Sequence, residues 1–108
     1  NELISYCQLS SWTESLNLNL DSKLGELGSK ISEGQKQRIG IARALYRDPS
    51  ILVLDEFSSS LDLETETKIM KIIDNLKGKK TIIIVSHRKN PIKNCDMIID
   101  LKNLKKNI

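Results

Sequence analysis

Ser50-Ile51-Leu52-Val53-Leu54-Asp55-Glu56, "SILVLDE", decides the fold class. It is a short, almost wholly apolar run ending in two acids, which is the pattern of a strand buried on both faces of a parallel sheet. Downstream, "TIIIV" at Thr81–Val85 repeats that pattern. Between the two, a turn through Ser58–Ser60 leads into a helix near Leu63–Leu76, where Ile69, Ile72, Ile73 and Leu76 recur at helical spacing until Lys77-Gly78-Lys79 stops it. A polar loop around Pro91 and a third strand at Met97–Leu101 complete the series. Strand, helix, strand, loop, strand is an α/β arrangement with right-handed crossovers.

Upstream the pattern is helical. Residues Glu2–Leu9 place Leu3, Ile4 and Cys7 at helical spacing, and Ser11 is expected to cap a second short helix from Trp12 to about Leu16. The run "LNLDSKLGELGSK", Leu18 to Lys30, has two glycines and no sustained period, and reads as an ordered loop. "ISEGQKQR" at Ile31–Arg38 then opens a stronger helix through about Tyr46, with Ile39, Ala42 and Tyr46 on one face. It closes before Asp48-Pro49, because proline disfavours a helical residue ahead of it.

The start of that helix has two readings. Ser32-x-x-Gln35 forms a capping box, as many ordinary helices do. Gly34, however, weakens the first turn by about 1 kcal/mol relative to alanine, so something should compensate. Close approach of a ligand to bare backbone would do so, since helix N-termini attract phosphate. Glu33 places a carboxylate in the same turn.

Composition narrows the classes. With 108 residues, 39% hydrophobic and 29% charged, the chain has the makeup of a soluble globular domain, or part of one, with one modest core. Its 17 basic and 14 acidic residues are spread along the sequence, giving a net charge of +3 and no footprint for a nucleic acid. Lys102, Lys105 and Lys106 read as a solvated, frayed terminus. Cys7 and Cys95 lie far apart with no Cys-x-x-Cys and no histidine cluster, which suggests neither a disulfide framework nor a zinc site. The longest apolar runs, Ile82–Val85 and the equally long Ile51–Leu54, are far short of a membrane span. A start at Asn1, within a helical pattern, points to a segment cut from something longer.

Chemistry gathers at one edge. In a parallel sheet the C-terminal ends of the strands form the ligand crevice, and the first strand delivers Asp55 and Glu56 there. The first of such a pair can hold Mg²⁺, usually through water, while the second orients a water for attack on a phosphate. Ser86-His87 follows the second strand and reaches the same edge. Asp62 comes close behind Glu56 and either joins that edge or meets a partner. Taken singly, the acids and the histidine are also what ordinary strand ends carry.

In order and spacing, "ISEGQKQRIGIARAL", "ILVLDE", "SSLD" and "SH" resemble the ATP-binding cassette (ABC) ATPases of the P-loop NTPase-like class. The resemblance spans about Gly25 to Leu101. It implies that Ile31–Gln35 is the signature motif, with Ser32, Gly34 and Gln35 at the nucleotide, and that Ile51–Asp55 is the Walker B strand, with Asp55 at Mg²⁺. It further implies that Glu56 is the catalytic glutamate, Ser60-Leu61-Asp62 the D-loop, with Asp62 at the nucleotide, and His87 the switch histidine. "GELG" at Gly25–Gly28 resembles the exporter loop that touches the transmembrane domain, and "HRKNPIKNCDMIIDL" resembles the exporter pattern after the switch histidine.

Two departures qualify the match. No G-x-x-x-x-G-K-[ST] loop, adenine-stacking aromatic or glutamine loop is recognisable, so the chain resembles the C-terminal part of a nucleotide-binding domain. Glu33 stands where the family usually has glycine. The implied organisation is a helical signature part at about residues 1–48 and a Walker B to switch-histidine α/β part at about 49–108. The implied function is the ATP-hydrolysing unit of an exporter or flippase at the cytoplasmic face of the cell membrane, with ATP and Mg²⁺ held between two head-to-tail nucleotide-binding domains and a transmembrane domain attached. Two alternatives stand beside it: a chromosome-maintenance or DNA-repair ATPase, and a truncated, non-catalytic remnant. The exporter-like loop and the short gap between signature helix and Walker B favour transport. The isolated chain is expected to be inactive and to expose apolar sheet surface.

Overall fold

The computed structural model describes residues 2–18, 21–25 and 31–104. In chain order the elements are α1 (Glu2–Tyr6), α2 (Ser10–Ser15), α3 (Glu33–Leu45), β1 (Ile51–Asp55), α4 (Leu63–Asp74), β2 (Thr81–Val85), α5 (Lys89–Ile92) and α6 (Leu101–Leu104). β1 and β2 pair in parallel, residue for residue from Ile51↔Thr81 to Asp55↔Val85. Lys80 fixes the entry to this pair: its Nζ donates to Asp48 Oδ1 at 2.6 Å and to the Pro49 carbonyl at 2.7 Å. α4 is the connection between the strands, and Ile69, Ile72 and Ile73 are enclosed as its period anticipates. Each such isoleucine contributes about 1.5–3 kcal/mol by leaving water.

The sheet departs from the expected burial on both faces. Leu52 and Leu54 enter the core, whereas Ile51 is 57% and Val53 60% exposed. Ile82 and Ile84 pack against the same core while Ile83 and Val85 face outward. One face of the pair is therefore covered and the other open. The third strand expected at Met97–Leu101 is also absent: residues 97–100 carry no regular structure and Leu101 begins α6. A strand needs a ladder partner, and among the described residues the sheet contains only β1 and β2, bonded to each other. Met97, Ile98 and Ile99 consequently stay exposed.

The helical part is corrected in detail. α1 stops at Tyr6 because Gln8 turns left-handed (φ 55°), with Gln8 N–H donating to the Ser5 carbonyl and Leu9 N–H to the Ile4 carbonyl, both at 2.9 Å. That pair of bonds is a Schellman closure. The chain then enters α2 directly from Leu9, whose backbone is helical, so Ser11 lies inside the helix and caps nothing. Asn17 (φ 52°) closes α2 in the same way. On α3 the buried side chains are Ile41 and Leu45, with Ile39 and Ala42 packed against the core, while Tyr46 follows the helix as its C-cap and is exposed. Much of the expected Leu18–Lys30 loop, and Lys105 and Lys106, lie outside the described residues.

Long-range polar contacts tie the helices together. Tyr6 Oη donates to the Ile72 carbonyl at 3.2 Å, joining α1 to α4. Arg38 joins α3 to the turn that closes α1, with Nη1 donating to the Gln8 carbonyl at 2.7 Å and Nε to the Gly34 carbonyl at 3.2 Å. Cys7 is fully enclosed in the core, and burial pushes its thiol up to about 11 against the opposing pull of Arg38.

Candidate functional site

The site begins where the ladder ends. Asp55 closes β1 opposite Val85, with an exposed side chain. Glu56 follows with φ 47°, a left-handed backbone unusual for a residue with a side chain, and its N–H still donates to the Val85 carbonyl at 2.8 Å. That turn brings Glu56 Oε1 to 3.4 Å from His87 Nε2. The oxygen is buried and has no hydrogen-bond partner in its own chain, which leaves an acceptor aimed at the edge where a water can be held. His87 itself is 96% exposed. Sequence reasoning placed these two groups at one edge, and the structure brings them within reach of each other.

Asp62 has a structural duty that the sequence reading did not assign. It is the N-cap of α4: its Oδ1 accepts from Thr65 N–H at 3.2 Å. The hydrogen bonding from Thr65 holds its carboxyl below the usual carboxylate range.

Ser32 and Gln35 form the capping box read from the sequence. Gln35 N–H donates to Ser32 Oγ at 3.2 Å, and Ser32 N–H donates to Gln35 Oε1 at 2.9 Å. Glu33 is the first residue of α3, half-exposed, with Oε2 3.8 Å from Lys36 Nζ. Gly34 is buried, and a Cβ built on it would lie 2.2 Å from Thr65 Cγ2. Contact with α4 therefore accounts for this glycine on its own, alongside the ligand approach expected from sequence. It also joins the start of α3 to the first turn of α4, just after Asp62.

One group of residues escaped the sequence reading. Glu66 of α4 is fully buried, its Oε2 2.7 Å from Arg88 Nη1 and its Oε1 accepting from Asn90 Nδ2. A signal was present: Glu66 falls on the same helical face as Ile69 and Ile73, where an acid is out of place without a partner. Its partners, at Arg88 and Asn90, are too distant in sequence to be paired by spacing.

No group of three or more His, Cys, Asp or Glu side chains among the described residues could hold a metal ion. The exposed Asp55 carboxylate fits instead the way Mg²⁺ is usually bound, by one or two carboxylates with waters and substrate phosphates completing the shell.

Residues 4–59 match the profile of the ABC transporter family, and the chain belongs to that family. Its relatives place it with the exporter-type nucleotide-binding domains. It is 45% identical over 93 residues to ABC transporter B family member 13 of Arabidopsis thaliana, a match covering 86% of the chain and 8% of that protein. It is also 45% identical over 92 residues to the ATP-dependent lipid A-core flippase of Desulfotalea psychrophila, covering 85% of the chain and 16% of the flippase. Among solved structures, a bacterial Atm1-family ABC exporter with ATP bound superposes with a TM-score of 0.74 at 28% identity, over 99% of this chain and 21% of that one. The chain thus spans a small fraction of these proteins' length, and the fold is of the P-loop NTPase class.

Proposed function

We propose that this chain is the signature-bearing, C-terminal part of the nucleotide-binding domain of an ABC exporter or flippase, with helical and α/β parts at about residues 1–48 and 49–108. The observation that carries the reading is the buried Glu56 Oε1, which receives no hydrogen bond and lies 3.4 Å from His87 Nε2 at the C-terminal edge of a parallel pair. ATP is the substrate. Magnesium, when bound, neutralises phosphate charge, and Asp55 is the residue that would hold it.

In this mechanism Glu56 accepts a proton from the attacking water through its free oxygen, and His87 contacts the terminal phosphate. Ser32, Gly34 and Gln35 serve the nucleotide across a head-to-tail interface with a second nucleotide-binding domain, and Asp62 lies at that interface. Closure excludes water and completes the site; reopening after hydrolysis moves an attached transmembrane domain. Gly25–Gly28 is the proposed contact with that domain; of it only Gly25 lies among the described residues. None of the helices among the described residues is long and apolar enough to cross a membrane, so the proposed location at the cytoplasmic membrane face depends on the attached domain. No observation favours the chromosome-maintenance alternative.

The test is turnover in the assembled transporter carrying this segment. Glu56→Gln should lower hydrolysis about a hundredfold or more while ATP binding persists, because the amide contacts water but cannot take its proton. His87→Ala should also slow turnover. Unchanged hydrolysis in either variant refutes the assigned role.

A further inference from the structure

His87 is almost wholly exposed, so packing of its own ring does not hold it where Glu56 can be reached. Its position comes from the backbone on either side. On one side Val85 is locked to Glu56 through the ladder. On the other, Arg88 N–H donates to Ser86 Oγ at 3.0 Å, and Ser86 Oγ–H returns to the Arg88 carbonyl at 3.4 Å, bracketing the histidine.

The Arg88 side chain extends this bracket into the core. Its Nη1 donates to the Ser58 carbonyl and, at 3.4 Å, to the Leu61 carbonyl, both in the loop between Glu56 and Asp62. The same nitrogen lies 2.7 Å from Glu66 Oε2. Glu66 is enclosed completely, and its other oxygen accepts from Asn90. A carboxylate enclosed away from solvent binds a guanidinium in a narrow range of positions, because any displacement leaves buried charge unpaired.

We infer that Arg88 is a positioning residue for His87: buried Glu66 and the carbonyls of Ser58 and Leu61 fix its guanidinium, and through it the backbone of the histidine beside it. This rests on the proposed role of His87. The loop that follows Glu56 and the segment that carries His87 then move as one unit, so the Glu56–His87 separation survives movement of the loop.

A double-mutant cycle in the assembled transporter decides the matter. Arg88→Lys keeps the charge but shortens the side chain, withdrawing the one nitrogen that joins Ser58, Leu61 and Glu66, and should lower kcat about tenfold in an otherwise unaltered protein. In the His87→Ala background it should change kcat by less than about twofold, since the histidine it positions is gone. A merely structural role would reduce the folded fraction and lower kcat by the same factor in both backgrounds, which would overturn the inference. Glu66→Gln should repeat the pattern, and it decides the question if Arg88→Lys does not fold. If His87→Ala alone leaves turnover intact, it is the proposed function that fails, not the role of Arg88 within it.

Discussion

Gly34 and Thr65 leave no room for a methyl group between α3 and α4: a Cβ on the glycine would stand 2.2 Å from Thr65 Cγ2. Two effects oppose each other in Gly34→Ala. Alanine gains up to about 1 kcal/mol of helix propensity, and overpacking costs about 1–3 kcal/mol. The clash should win, lowering stability by about 1 kcal/mol. Thr65→Ser removes the offending methyl, so the double variant should recover most of that loss. Urea denaturation measures all three, and a Gly34→Ala protein more stable than the parent would refute the contact.

Glu33 favours the positive end of α3 and is drawn towards Lys36, yet it occupies the turn that is proposed to meet phosphate. Glu33→Gly should raise turnover of the assembled transporter severalfold at low salt. The gain should shrink as ionic strength rises, because exposed charges are screened over about 10 Å at 0.1 M salt. Lower turnover would instead show that Glu33 makes a productive contact.

For Asp62 the pH dependence has a definite sign. Its folded carboxyl titrates below the unfolded one, so its ionised cap stabilises α4 at pH values above the unfolded pKa of about 4. That stabilisation is lost as pH falls through the lowered folded value. Asn is also a good N-cap, so Asp62→Asn keeps the geometry and removes the titration. Parent and variant should differ in thermal midpoint at neutral pH and converge in acid. A gap that widens towards low pH would contradict the capping role.

The open face of the β1–β2 pair should make the isolated chain self-associate. Ile51, Val53, Ile83 and Val85 all lie on it, forming an apolar surface. Val53→Thr with Ile83→Thr keeps β-branched side chains while adding hydroxyls, and should raise the monomer fraction in sedimentation velocity. A parent chain that is monomeric at every concentration would exclude association through this face.

Local chemistry made part of this legible in the sequence. The Ser32–Gln35 capping box, the isoleucine period of α4 and the acid that closes β1, with Glu56 directly after it, are each set by neighbours within a turn or a strand, and each is found where the sequence places it. Features that depend on distant chain were not legible. Met97–Ile99 has the composition of a strand but lacks a ladder partner, and Ile51 and Val53 look like core until the cover of the sheet is known. Gln8 gave no sign of a left-handed turn, because nothing in glutamine favours one. The Glu66–Arg88 pair joins α4 to the residue after His87, which only the fold brings together.

The enclosure of Cys7 gives the molecule a clock. Thiolate is the reactive form, and a buried thiol raised to about 11 offers almost none at neutral pH. Alkylation of Cys7 must therefore wait for a local opening of the core that encloses it. Its labelling rate reports how often that opening is populated, whereas half-buried Cys95 marks, in the same sample, a thiol that is not fully enclosed.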